Sequence, residues 1–256
     1  MQQSDPGAPL TSAQAAAAGA GHKALMPIGA DGCPFLDYVI AELAEAGARE
    51  VCLVVGPDPD PVRTHYLGHP PSRARLEFAV QPVADGTARA LLAAERFVGG
   101  EPFLVLNADN LYQASTLGQL IALAGPGLPA YERDALARAS GFPSERIAAF
   151  ALIEVDPHGI LQGIVEKPAP DRVAAAGPNV LVSMNVWRFD ARIFDACRAV
   201  SISRRGEYEL PEAVALSVAR GVVYTVIRAA GPVIDLSRRS DVAAVAERLG
   251  AQGGSW

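Results

Sequence analysis

The chain has 256 residues, 50% of them hydrophobic and 6% aromatic, enough to bury a large core in one big domain or two small ones. Its formal charge of -6 argues against a nucleic-acid binder, which would carry a basic face. Three scattered cysteines (Cys33, Cys52, Cys197) fit neither a disulfide framework nor a zinc site, no apolar run reaches the ~18 residues of a membrane span, and the polar start MQQSDPG is no signal peptide; the expectation is a cytoplasmic protein with no membrane or nucleic-acid partner.

Residues 1–22, with the alanine-rich AQAAAAGAG, read as a helical or flexible lead-in. In FLDYVIAELAEAG, Leu36, Val39, Ile40 and Leu43 form one helical stripe, and Gly47 ends it. VCLVV (51–55) is short, wholly apolar and bounded by Gly56-Pro57, as in a strand buried on both faces. A helix near 60–67, a strand at 76–80, a helix at 87–98, a strand at 103–107 and a helix near 115–124 follow.

Residues 131–146, YERDALARASGFPSER, are charged and read as an exposed helical insertion. AAFALIEVD and GILQGIVEK, joined by PHG, read as a hairpin, and 180–189 as one further strand. Helices near 191–199 and 210–220, strands in GVVYTVIRA and GPVIDL, and a closing helix in SDVAAVAERL complete the chain. No tandem repeat is visible, so no β-helix is appended at the C-terminus. Short apolar strands alternating with helices predict a single α/β domain over 1–256, a Rossmann-like three-layer α/β/α fold with a mixed, mostly parallel central sheet.

In open α/β sheets, ligands sit beyond the carboxyl ends of the strands, so the polar residues there deserve inspection. FLVLNADN ends an apolar strand in Asn107, Asp109 and Asn110, and GPVIDL ends another in Asp235; taken alone, each acid reads as a turn-forming residue. Magnesium is commonly held by one or two carboxylates with substrate phosphates completing its shell, which two strand-end acids could provide. QPVADGTA offers Gln81, able to donate and accept at a base edge, and Gly86, whose missing side chain permits close backbone approach. GIVEKP sets Glu166 beside Lys167, and RRGEYEL carries Arg205; a solvated ion pair and a charged helix start are the plain alternatives. Only two of the 22 basic side chains are lysines, Lys23 and Lys167. In so arginine-rich a chain, their survival hints that a compact ammonium is wanted at both places.

Taken in order, KALMPIG, QP…DGTA, FLVLNADN, IVEKP, RGEYEL and VIDL resemble the sugar-1-phosphate nucleotidylyltransferases, most of all the thymidylyl and uridylyl branch. The resemblance runs from about residue 22 to the C-terminus. It implies transfer of a nucleotidyl group from dTTP or UTP to a sugar 1-phosphate, with Mg2+ as cofactor and pyrophosphate as the second product. It also implies roles: Lys23 on the triphosphate, Gln81 and Gly86 on the base, Asp109 and Asp235 on magnesium. Glu166 and Asn185 would face sugar hydroxyls, and Lys167 and Arg205 would grip the sugar phosphate. A homo-oligomer is compatible with the family.

The family also begins with a strand and a glycine-rich loop that wraps the triphosphate. No such segment precedes Lys23 here, so the expectation is a chain that starts one strand too late, through either a misassigned start codon or a real truncation, with two strand edges exposed where the strand would lie. A non-catalytic nucleotide or nucleotide-sugar binder that kept the pocket is the alternative reading. A glycosyltransferase is more distant, since NADN is not the Asp-x-Asp expected at its metal strand.

Overall fold

The computed structural model describes residues 14, 23–28, 32–147, 150–166, 168–175, 177, 180–237 and 241–251. Lys23–Leu25 make a 3-10 turn, followed by the two-residue strands β1 (Pro27–Ile28) and β2 (Cys33–Pro34), which pair with each other. The remaining strands are β3 (Glu50–Val55), β4 (Arg75–Val80), β5 (Phe103–Leu106), β6 (Asn110–Leu111), β7 (Gly127–Glu132), β8 (Ala151–Val155), β9 (Leu161–Val165), β10 (Leu181–Ser183), β11 (Val186–Phe189), β12 (Thr225–Ala229) and β13 (Ile234–Asp235). Helices fall where periodicity predicts them, including Phe35–Glu45, Thr87–Ala93, Ala114–Ile121, Arg192–Ala199, Leu210–Ala219 and Asp241–Ala251. None among the described residues is long and apolar enough to cross a membrane.

A seven-stranded sheet in the order β5-β11-β7-β10-β8-β9, with β12 beside β7, forms the frame. Its side chains alternate between two cores, as a pleated strand requires. Leu104, Leu106, Val182 and Ile227 face a core shared with the 35–45 and 241–251 helices; Phe103, Val105, Leu128, Trp187 and Val226 face another shared with the 87–93, 192–199 and 210–219 helices. Three layers result, and the α/β architecture holds.

Sheet direction differs from expectation. Among the described residues, β7–β12 is the one parallel ladder in this sheet; β5–β11, β7–β10, β7–β11, β8–β10 and β8–β9 are antiparallel. The parallel pair β3–β4 forms a separate two-stranded sheet. The sheet is therefore mixed but not mostly parallel, because the second half of the chain returns by hairpins rather than by helical crossovers.

The central strand β7 escapes sequence reading because Gly127 and Pro129 punctuate it. A proline removes a ladder donor and is tolerated where pairing is interrupted. Here Tyr131 pairs with Val182 and Gly127 with Arg188, so two extra residues are accommodated on the partner strand opposite Pro129. They are Met184 and Asn185, and Asn185 adopts a left-handed conformation with φ of 61°. The single strand expected at 180–189 is thus one strand interrupted by a bulge.

The segment 131–146 is also corrected. Tyr131 and Glu132 complete β7, Leu136 is buried within the Arg133–Ser140 helix, and Arg146 is buried on the short Ser144–Ile147 helix. Its charges alternate with core-facing residues, which composition alone does not resolve. Finally, β3 is not buried on both faces: Val51, Cys52 and Leu53 are half-buried and Val54 is exposed. Among the described residues β3 pairs with β4 alone and β5 with β11 alone, so each keeps one unpaired edge.

Candidate active site

Beyond β5 the chain turns through Asn107–Asn110, closed by a hydrogen bond from Asn110 N to Asn107 O, and re-enters as β6. Antiparallel pairing of β6 with β13 sets Asp235 opposite Asn110, and Leu236 N donates to Asp109 O at 2.8 Å. Two carboxylates 126 positions apart in sequence thereby share one strand end. Burial pushes the Asp109 carboxyl above the usual carboxylate range, and the neighbouring Asp235 pushes it further, while Lys23 and Arg146 pull it back.

Lys23 reaches this group from the other end of the chain. Its 3-10 turn is anchored by fully buried Met26, whose N–H bonds to Lys23 O, and Lys23 Nζ donates to Ser237 O at 2.6 Å. Ser237 Oγ donates in turn to Asp235 Oδ1. Arg146, absent from any sequence-based set of candidates, lies 2.7 Å from the other Asp235 oxygen. Nothing in the local sequence distinguishes it from Arg133 and Arg138 in the same segment.

A second group forms around Gln81, which follows β4. Gln81 Nε2 donates to Gly86 O at 3.1 Å and to Asp85 Oδ1 at 3.2 Å. The loop is clasped by the segment before the 210–219 helix: Tyr208 N donates to Asp85 O, Ala88 N to Tyr208 O, and Leu210 N to Thr87 Oγ1. Gly86 has φ of 127°, and a methyl there would collide with the Tyr208 backbone. A side chain is excluded twice over, by conformation and by Tyr208. Arg205 sits in the same clasping segment, exposed, with its guanidinium 3.6 Å from Glu209 and its N–H on Ser203 Oγ.

The sugar-side candidates fall on a band across the sheet. Val186 pairs with Leu106, so Asn185 stands beside the carboxyl end of β5. Val165 pairs with Leu152 and Ser183 with Ala151, so Glu166 follows at the same level, two strands away from Ser183. Tyr112 Oη, fully buried, donates to Met184 O and holds the bulge, and the buried Asn185 Oδ1 has no hydrogen-bond partner among the described residues. Asn is among the few residues that adopt this left-handed conformation at small cost, so an unusual backbone and an unmet acceptor coincide at one position. Lys167 lies outside the described residues.

No group of three or more metal-ligating side chains occurs among the described residues. The Asp109–Asp235 pair nevertheless suits a hard divalent cation that takes the rest of its shell from phosphates. A cation between them would reverse both the burial and the like-charge effects that keep Asp109 high.

The chain is 28% identical over 227 residues to the UTP–glucose-1-phosphate uridylyltransferase of Haloferax volcanii, covering 86% of this chain and 85% of that one. It is 27% identical over 180 residues to the glucose-1-phosphate thymidylyltransferase of Xanthomonas campestris, covering 70% of this chain and 57% of the relative. Its fold resembles the crystal structure of UDP-glucose pyrophosphorylase complexed with UDP-glucose, with a TM-score of 0.66, 19% identity and 90% coverage of both chains. The pattern that defines the nucleotidyl transferase family matches residues 9–231, most of the chain, so this protein is a transferase enzyme and belongs to that family.

Proposed function

We propose that the protein transfers a nucleotidyl group from UTP or dTTP to a sugar 1-phosphate, giving a nucleotide sugar and pyrophosphate. The observation that carries this reading is the meeting of Asp109, Asp235 and Lys23, drawn from three distant parts of the chain, at the carboxyl end of β5. An oxygen of the sugar phosphate attacks the α-phosphorus, its new P–O bond forms as the bond to the leaving pyrophosphate breaks, and no enzyme nucleophile is required. The task is to bring two polyanions together in line, which positioning and charge neutralisation accomplish.

Lys23 would neutralise the triphosphate; its bond to the Ser237 carbonyl keeps the ammonium close enough to act on Asp109. Asp109 and Asp235 would hold Mg2+, which supplies neutralisation of charge on the reacting phosphates. Gln81 and the Gly86 loop would read the base edge, Glu166 and the unmet Asn185 acceptor would receive sugar hydroxyls, and Lys167 and Arg205 would bind the sugar phosphate. Arg205 is exposed and lightly paired, so it can turn to an anion at small cost.

The test is pyrophosphate release with UTP, dTTP, ATP and GTP, each against a panel of hexose 1-phosphates. Turnover confined to the two pyrimidine nucleotides is expected. Equal use of ATP or GTP would remove the base-reading role of Gln81, and nucleotide binding without turnover in any pairing would favour a non-catalytic binding protein.

A further inference from the structure

Arg146 reaches two carboxylates that belong to different elements. Its Nη2 lies 2.7 Å from Asp235 Oδ2, and its Nη1 donates to Asp241 Oδ1 at 2.8 Å. The guanidinium also stands over the Phe142 ring, 5.1 Å from its centre, and the residue is only 8% exposed. Asp235 is consequently contacted at both oxygens, on one by the Arg146 guanidinium as an ion pair and on the other by a hydrogen bond from Ser237 Oγ. Asp241 opens the 241–251 helix, whose Val242, Val245 and Leu249 are buried in the core. A planar fork can hold two carboxylates at fixed angles, which a lysine ammonium on a flexible stem cannot.

We propose that Arg146 is a positioning residue, fixing the Asp235 carboxylate toward Asp109 and tying that orientation to the C-terminal helix through Asp241. The inference rests on the reading of Asp109 and Asp235 as cation ligands. It has a consequence opposite in sign to simple electrostatics. Arg146 puts a positive charge beside the cation site, so deleting that charge would by itself tighten cation binding. If Arg146 orients Asp235, deletion loosens binding instead, because the ligand loses its fixed geometry.

Mn2+ titration of the whole chain, followed by electron paramagnetic resonance, separates the two. Arg146→Met, shown to be folded by its thermal melt, is expected to bind Mn2+ about tenfold more weakly than the wild type. Arg146→Lys is expected to lie between them. Equal or tighter Mn2+ binding by folded Arg146→Met would overturn the proposal. Should that variant fail to fold, wild-type affinity in Arg146→Lys would overturn it equally, since a point charge would then suffice. A wild-type chain that binds no Mn2+, or whose Mn2+ binding survives Asp109→Asn, would remove the underlying reading of the site and this inference with it.

Discussion

β7 and β3 make an instructive pair. By composition β3 is the better strand, EVCLVV against GLPAYE, yet β7 is buried along five of its six residues while β3 has only Val55 buried. The difference lies in neighbours: β7 is paired on both edges, with β10 and β11 on one side and β12 on the other, whereas β3 is paired with β4 alone among the described residues. Apolar content sets how much a strand stands to gain from burial, and topology decides how much it receives. The site draws on both regions, with Gln81 carried by β4 and Asp109 by the edge strand β5. Its loops are braced individually instead, by β13 at Asp109 and by Tyr208 at Gly86.

If that bracing is local, chemistry and stability separate cleanly. The largest effect is expected for Asp109→Asn, which should lower turnover by at least about a hundredfold through lost stabilisation of charge on the reacting phosphates. Its melting temperature at neutral pH should stay equal or rise, because a buried, repelled carboxylate is removed. A large loss of stability would show that the strand end is a structural keystone rather than a braced loop.

The two strands themselves supply the next contrast. Leu128 in β7 is fully buried, so Leu128→Ala should cost ~2–5 kcal/mol in chemical denaturation. Half-buried Leu53 in β3 should cost about 1–2 kcal/mol on the same substitution, since part of its surface already meets water. Equal losses would break the comparison. Amide hydrogen exchange offers the same contrast without mutation: β3 should exchange well before β7.

Gly86→Ala addresses the second brace. The added methyl meets the Tyr208 backbone and a φ that disfavours a side chain, so the clasp should open at a cost of ~1–3 kcal/mol. Nucleotide KM should rise more than kcat falls, because Gln81 and the loop lie on the binding side of the proposed site. Unchanged KM would detach the clasp from nucleotide binding.

Much of this was legible in the sequence, and the exceptions share a cause. Helical stripes such as Leu36–Val39–Ile40–Leu43, the 151–165 hairpin and the strand-end aspartates could be read because each is a local pattern. β7 could not be read, because Pro129 is tolerated only opposite a bulge formed by residues more than 50 positions later. The direction of the sheet depended on such long-range pairings too. Arg146 was hidden for the same reason: its partners Asp235 and Asp241 lie in a distant part of the chain. Conversely, the bonds of Lys23 and the pairing of Asp235 with Asn110 bring together residues that ordered motifs alone had singled out.

The smallest expected effect concerns pH. In the metal-free protein Asp109 has a raised carboxyl pKa, so its ionisation costs stability fully above the folded-state value, and the cost disappears as pH falls toward the unfolded-state value. Any gain in melting temperature of Asp109→Asn over the wild type should therefore shrink as the solution is acidified. A gain that grows in acid would mean the carboxyl is stabilised in its charged form, contrary to its burial beside Asp235.

The central claim, that a divalent cation is held between the ends of β6 and β13, is tested most directly by paramagnetic relaxation. Mn2+ added with a nucleoside triphosphate to the isotopically labelled chain should broaden the amide signals of Asn110 and Leu236 first, because these flank the two aspartates on paired strands. Amides of the β8–β9 turn, at Asp156, His158 and Gly159, should remain sharp. Broadening that spares Asn110 and Leu236, or that persists there in Asp109→Asn at the same Mn2+ concentration, would contradict the assignment.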